Sequence, residues 1–114
     1  MENLGLRKKT MERSIKPEEL KKILHSTIVL DVRREADYSA SAETVPSSVW
    51  HNPEQIDTWI CNVDKDREVV IYCVRGASVS NSVVDKLQAA GVKARFIEGG
   101  IEGWKAAGGN TLVK

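Results

Sequence analysis

Cys73 is the residue of this chain best placed to do chemistry. It closes the apolar run Val69-Val70-Ile71-Tyr72 and opens the segment Val74-Arg75-Gly76-Ala77-Ser78. The run reads as a buried strand. Gly76 marks a tight turn. Val79, Val83, Val84 and Leu87 then recur at helical spacing until Gly91 supplies a stop. The spacing therefore predicts a thiol at a strand end, facing the start of a helix that runs to about residue 90. Unpaired backbone N–H groups and the positive end of the helix dipole favour an anion there, and so favour the thiolate as nucleophile. Arg75 lies inside the turn, where its guanidinium can orient an anionic substrate. Ser78 can cap the helix.

These residues resemble the rhodanese (sulfurtransferase) family, in which a cysteine carries sulfur as a persulfide and begins a six-residue cradle loop, here Cys73 to Ser78. Two further stretches match family patterns in the same order: Leu30-Asp31-Val32-Arg33 and Glu98-Gly99-Gly100-Ile101-Glu102-Gly103-Trp104. The resemblance spans roughly residues 13 to 109. It implies Cys73 as the catalytic nucleophile, and Val74, Arg75, Gly76, Ala77, Ser78, Val79, Asp31 and Arg33 as the substrate-binding set. Asp31 is expected to order loop backbone, and Arg33 to pair with it or to add positive potential. The implied donor is thiosulfate or a persulfide, and the implied acceptor is cyanide, a thiol or a sulfur-acceptor protein. No cofactor and no metal are implied.

The chain departs from the family at two places. Many members carry Arg or Lys where Ser78 stands, and a common His-Ile-Pro-Gly-Ala stretch reads Thr44-Val45-Pro46-Ser47-Ser48 here. Two rival readings stay open. Cys-dependent phosphatases and arsenate reductases on related folds use a loop one residue longer, with Arg six positions after the Cys. Val79 holds that position here, and Tyr72 rather than His precedes the Cys. A non-catalytic binding or sensing module is the other rival. The Cys-Val-Arg-Gly segment also loosely resembles rhodanese domains associated with chromate resistance.

Those residues need elements to position them. Arg13-Ser14-Ile15 is expected as a short first strand, and Pro17 starts a helix with Leu20, Ile23 and Leu24 on its apolar face. Residues 27–32 read as a second, buried strand, and 35–38 as a short helix. Residues 40–48 read as a loop and Val49-Trp50 as a third strand. Asn52-Pro53 starts a helix with Ile56, Trp59, Ile60 and Val63 on one stripe. The Cys73 strand and helix follow. Residues 92–97 form a fifth strand, and a last helix over 101–107 closes at Gly108-Gly109. Strands alternating with helices imply right-handed crossovers and a parallel α/β sheet covered on both faces. The resemblance adds a three-layer α/β/α rhodanese-like fold with five strands ordered 1-5-4-2-3. Ligands of such sheets sit beyond the carboxyl ends of the strands, where Asp31-Val32-Arg33 and Cys73 converge.

The 114 residues fit one domain, taken as 13–110 after a charged tail over 1–12. A net charge of +1 gives no bulk electrostatic reason to bind nucleic acid or membrane. No apolar run approaches the roughly 18 residues of a transmembrane helix, and residues 1–13 lack the apolar core of a secretory signal. A reducing, cytoplasmic setting is expected, with Cys61 and Cys73 unbridged and Cys61 structural. The two histidines, His25 and His51, stand apart, and no Cys/His cluster has zinc spacing.

Overall fold

Runs of β-branched residues build the centre of the molecule. The computed structural model describes residues 13–75 and 78–114. In chain order the elements are β1 (Ser14–Ile15), α1 (Pro17–Ile23), β2 (Ile28–Asp31), α2 (Glu35–Ala40), β3 (Glu43–Thr44), β4 (Ser48–Trp50), α3 (Ile56–Trp59), β5 (Glu68–Tyr72), α4 (Ser78–Ala89), β6 (Lys93–Ile97), α5 (Gly100–Ala106) and β7 (Leu112–Val113). Five strands form one sheet ordered β1-β6-β5-β2-β4, every pair parallel. Counting only these five, the order is the expected 1-5-4-2-3.

Alternation along the central strands sorts the core into two halves. Val69 and Ile71 of β5, with Leu30 and Val32, pack against Ile56 of α3 and against Val83, Val84 and Leu87 of α4. Val70 and Tyr72, with Val29, pack on the opposite face with Leu20 of α1 and with Ile101 and Trp104 of α5. The sheet is thus the middle of three layers. Trp104 is 2% exposed, and its indole N–H donates to the Asn110 carbonyl at 2.6 Å. Gly91 ends the α4 region at φ 89°, where glycine is favoured, and lets Val92 N–H return to the Leu87 carbonyl at 3.0 Å.

Two local features differ from the sequence expectation, and a third lies outside it. The segment after Asn52 is not one helix: Pro53–Gln55 and Ile60–Asn62 are 3-10 turns flanking the single turn of α3. Asn52 caps it as expected, accepting from the Glu54 N–H at 3.0 Å, but the Trp59 indole N–H also donates to the Asn52 carbonyl at 2.9 Å and curls the segment back on its own start. Residues 40–48 contain β3, which pairs antiparallel with β7, and β7 lies beyond residue 110. Glu43-Thr44 holds no apolar residue, so nothing in the local pattern marks β3 as a strand. The β3 Glu43 carboxylate also meets Lys105 of α5 at 2.9 Å and accepts from the Thr111 hydroxyl at 2.9 Å, so the added ribbon is tied to the domain. Finally, Ser47 takes φ 68°, a left-handed conformation that glycine adopts without cost.

Candidate functional site

Register sets the site. Asp31 of β2 stands opposite Tyr72 of β5, so both central strands end at the same level of the sheet. The pairing continues one step further, with Val32 N–H donating to the Tyr72 carbonyl at 2.9 Å. Cys73 is the next residue, and it is 6% exposed.

Two contacts fix Cys73 from different sides. Its carbonyl accepts from the Ile101 N–H at 3.0 Å, and the Val74 carbonyl accepts from the Glu102 N–H at 3.1 Å. The first turn of α5 therefore holds the start of the loop. Gly100 makes that approach possible: it sits at φ 62°, and a Cβ there would run into the carbonyls of Cys73 and Val74. This is the structural use of the Glu98-to-Trp104 stretch. On the other side, the hydroxyl of Ser80, fully buried in the first turn of α4, donates to Cys73 Sγ at 3.0 Å.

Asp31 and Arg33 engage each other. Arg33 Nε lies 3.0 and 3.1 Å from the two Asp31 oxygens, and Nη2 lies 2.7 Å from Oδ2. Asp31 also accepts from the Arg33 backbone N–H at 3.0 Å. Both side chains are 1% exposed. Arg33 Nη2 reaches the Glu43 carbonyl at 3.0 Å, which ties β3 to the strand ends. Its guanidinium lies 5.5 Å from the ring centres of both Tyr38 and Tyr72. Burial opposes the charge of Arg33, but the hydrogen bonds and attraction of Asp31 outweigh it and raise its pKa.

Tyr72 carries a polar tip into this cluster. Its hydroxyl accepts from the Val45 N–H at 3.2 Å and shares a 2.9 Å hydrogen bond with Ser48. Burial first, and the negative charge of Asp31 second, push its pKa up to about 12. Trp50 stacks on Tyr38 and donates its indole N–H to the Arg33 carbonyl at 2.8 Å.

The remaining candidates are placed as follows. Arg75 is exposed. Val74 is half-buried and, with Arg33, Glu102 and Lys105, lines a cavity of about 200 Å³ beside the loop. Val79 is half-buried, packs against the α4-side core, and borders a second cavity of about 320 Å³ with Arg34 and Lys86. Ser78 opens α4. Gly76 and Ala77 lie outside the described residues. Cys61 is exposed and Cys73 buried, and both are free thiols. Among the described residues no group of three or more His, Cys, Asp or Glu side chains could hold a metal ion, and no helix is long and apolar enough to cross a membrane.

Sequence reasoning assigned no role to Ser80 or to the Tyr72 hydroxyl. Ser80 was visible only as a hydroxyl seven positions after Cys73. Tyr72 reads as one more apolar strand residue, because its partners Val45 and Ser48 come from a loop and an edge strand that periodicity does not place.

A family model described as a rhodanese-like domain matches residues 16–107. A rhodanese-related protein from Thermoplasma volcanium superposes with a TM-score of 0.80 at 22% identity, covering 90% of this chain and 100% of that one. A rhodanese-like domain protein from Staphylococcus aureus gives 0.74 at 26% identity, covering 90% and 99%. A thiosulfate sulfurtransferase from Pseudomonas aeruginosa gives 0.75 at 25% identity over 89% of this chain, but only 19% of that much longer one. Among curated proteins no sequence matches significantly.

Proposed function

Since the chain belongs to the rhodanese-like domain family, we propose that it is a sulfurtransferase that carries sulfur on Cys73. The observation that carries this reading is the position of Cys73. It follows Val69 to Tyr72, the fully buried run of the central strand, its carbonyl is anchored by α5, and its sulfur lies against the first turn of α4.

The cycle has two displacements at sulfur. The Cys73 thiolate attacks the outer sulfur of thiosulfate. A Cys–S bond forms, the sulfur–sulfur bond of the donor breaks, and sulfite leaves with its electron pair. The product is a Cys73 persulfide. A nucleophilic acceptor then attacks the outer sulfur of the persulfide. With cyanide the new bond is that of thiocyanate, and with a thiolate it is that of a new persulfide, on a small molecule or on an acceptor protein. In either case the Cys73 sulfur takes back the bonding pair. No redox cofactor enters, because sulfur passes between nucleophiles at constant total electron count. Exposed Arg75 is suited to meet the sulfonate end of the donor before sulfite leaves.

A phosphatase or arsenate reductase is the weaker reading. Transfer of a tetrahedral oxyanion over a cysteine needs positive charge against its equatorial oxygens. The position six residues after Cys73 holds Val79, packed on the core.

Steady-state assay separates the two. The purified protein should form thiocyanate from thiosulfate and cyanide, should leave p-nitrophenyl phosphate intact, and should not reduce arsenate with a thiol. Cys73-dependent phosphatase turnover without sulfur transfer would reverse the assignment.

A further inference from the structure

We infer that Ser80 is a catalytic residue of the discharge step, holding the Cys73 sulfur as it leaves as a thiolate. The inference rests on the persulfide reading above. Its basis is one contact and its setting: Ser80 is fully buried, Cys73 is 6% exposed, and Ser80 Oγ donates to Sγ at 3.0 Å. A buried hydroxyl requires a partner, and here the partner is the reacting atom itself.

The contact changes strength through the cycle. In the persulfide, Sγ is bonded to Cβ and to the outer sulfur, carries no charge, and is a weak acceptor. When cyanide or a thiolate attacks the outer sulfur, the Sγ–S bond breaks and Sγ keeps the electron pair. Negative charge therefore develops on Sγ, and the Ser80 hydrogen bond becomes charge-assisted, roughly twice as strong as a neutral one. An interaction stronger in the transition state than in the ground state accelerates the step. Loading runs the other way. The thiolate gives up its charge as it attacks thiosulfate, so the same hydrogen bond weakens and gives no acceleration. Ser80 thus favours emptying the enzyme over filling it and sets the lifetime of the persulfide.

Ser80→Ala removes the hydroxyl with a good helix former of smaller volume. Two measurements on the full chain read the effect. Protein loaded with thiosulfate and freed of donor is mixed with cyanide, and persulfide loss is followed by intact mass. The variant should discharge about tenfold more slowly, as expected for one hydrogen bond to a charged group, with loading changed by less than about threefold. Wild type and variant are then equilibrated with the same thiosulfate-to-sulfite ratio in mildly alkaline buffer. The variant should hold a larger persulfide fraction, because its free thiolate has lost a stabilising donor. A loosened site would fill less, so the direction of this shift separates chemistry from packing. Discharge at the wild-type rate, or a smaller persulfide fraction at equilibrium, overturns the Ser80 assignment while the persulfide reading stands. A wild-type protein that gains no sulfur overturns both.

Discussion

Ile101 donates its backbone N–H to the carbonyl of Cys73 at 3.0 Å, and Glu102 repeats the contact on Val74 at 3.1 Å. The last helix of the domain thus holds the first two residues of the loop, although 28 positions separate Cys73 from Ile101. The thiol is positioned by the backbone of a remote element as much as by its own strand.

Gly100→Ala tests that bracing. The position combines φ 62° with no room for a Cβ against the Cys73 and Val74 carbonyls. A left-handed non-glycine residue costs about 1–3 kcal/mol, and the overlap adds to it. Urea denaturation should show a loss of about 3 kcal/mol or more, with slowed sulfur loading in the folded fraction. Wild-type stability and loading would mean that the loop does not depend on α5.

The Asp31–Arg33 pair gives a second stability prediction. Both side chains are 1% exposed, and removing one partner leaves the other charge buried without its counterpart. Asp31→Ala and Arg33→Ala should each cost about 3–5 kcal/mol. The double variant should cost clearly less than their sum, because the two residues share one interaction. Additive losses in denaturation would show that they act independently.

Tyr72 predicts an alkaline limit. Its pKa rises from 10.0 in the unfolded chain to about 12 in the fold. A raised folded pKa means that its stabilising contribution is complete below pH 10 and is lost as pH climbs from about 10 to about 12. Two units correspond to about 3 kcal/mol. Denaturation curves across that window should fall more steeply for the wild type than for Tyr72→Phe, which lacks the titrating group. Parallel curves for the two proteins would remove Tyr72 as the cause.

Arg75→Ala should act on the donor alone. The residue is exposed, so stability should stay within about 0.5 kcal/mol of wild type. Loss of one charge-assisted contact of about 1.5 kcal/mol should raise the thiosulfate KM about tenfold while leaving persulfide discharge to cyanide unchanged. Unchanged thiosulfate kinetics would assign Arg75 to solvent.

How much of this was legible follows from what each residue depends on. Val69 to Tyr72 declare a buried strand by their own composition, and Val79, Val83, Val84 and Leu87 declare a helix by spacing, so the strand–loop–helix around Cys73 needs no tertiary knowledge. The strand order follows from the family resemblance alone, because periodicity cannot say which strand lies beside which. The β3–β7 ribbon, the Tyr72–Ser48 contact and the 3-10 turns around α3 are set by partners distant in sequence or by a single indole hydrogen bond, and none leaves a local pattern. Ser80 belongs to the same class: a hydroxyl in a helix looks ordinary until the fold brings a sulfur within 3.0 Å of it.

In the proposed cycle everything depends on Cys73 accepting a sulfur atom. Intact mass spectrometry of the wild-type protein, of Cys73→Ser and of Cys61→Ala, each after incubation with thiosulfate and removal of the donor, tests it most directly. The wild type and Cys61→Ala should each gain one sulfur, Cys73→Ser should gain none, and cyanide should reverse the gain. A wild-type protein that gains no sulfur, or a gain that survives in Cys73→Ser and disappears in Cys61→Ala, would contradict it.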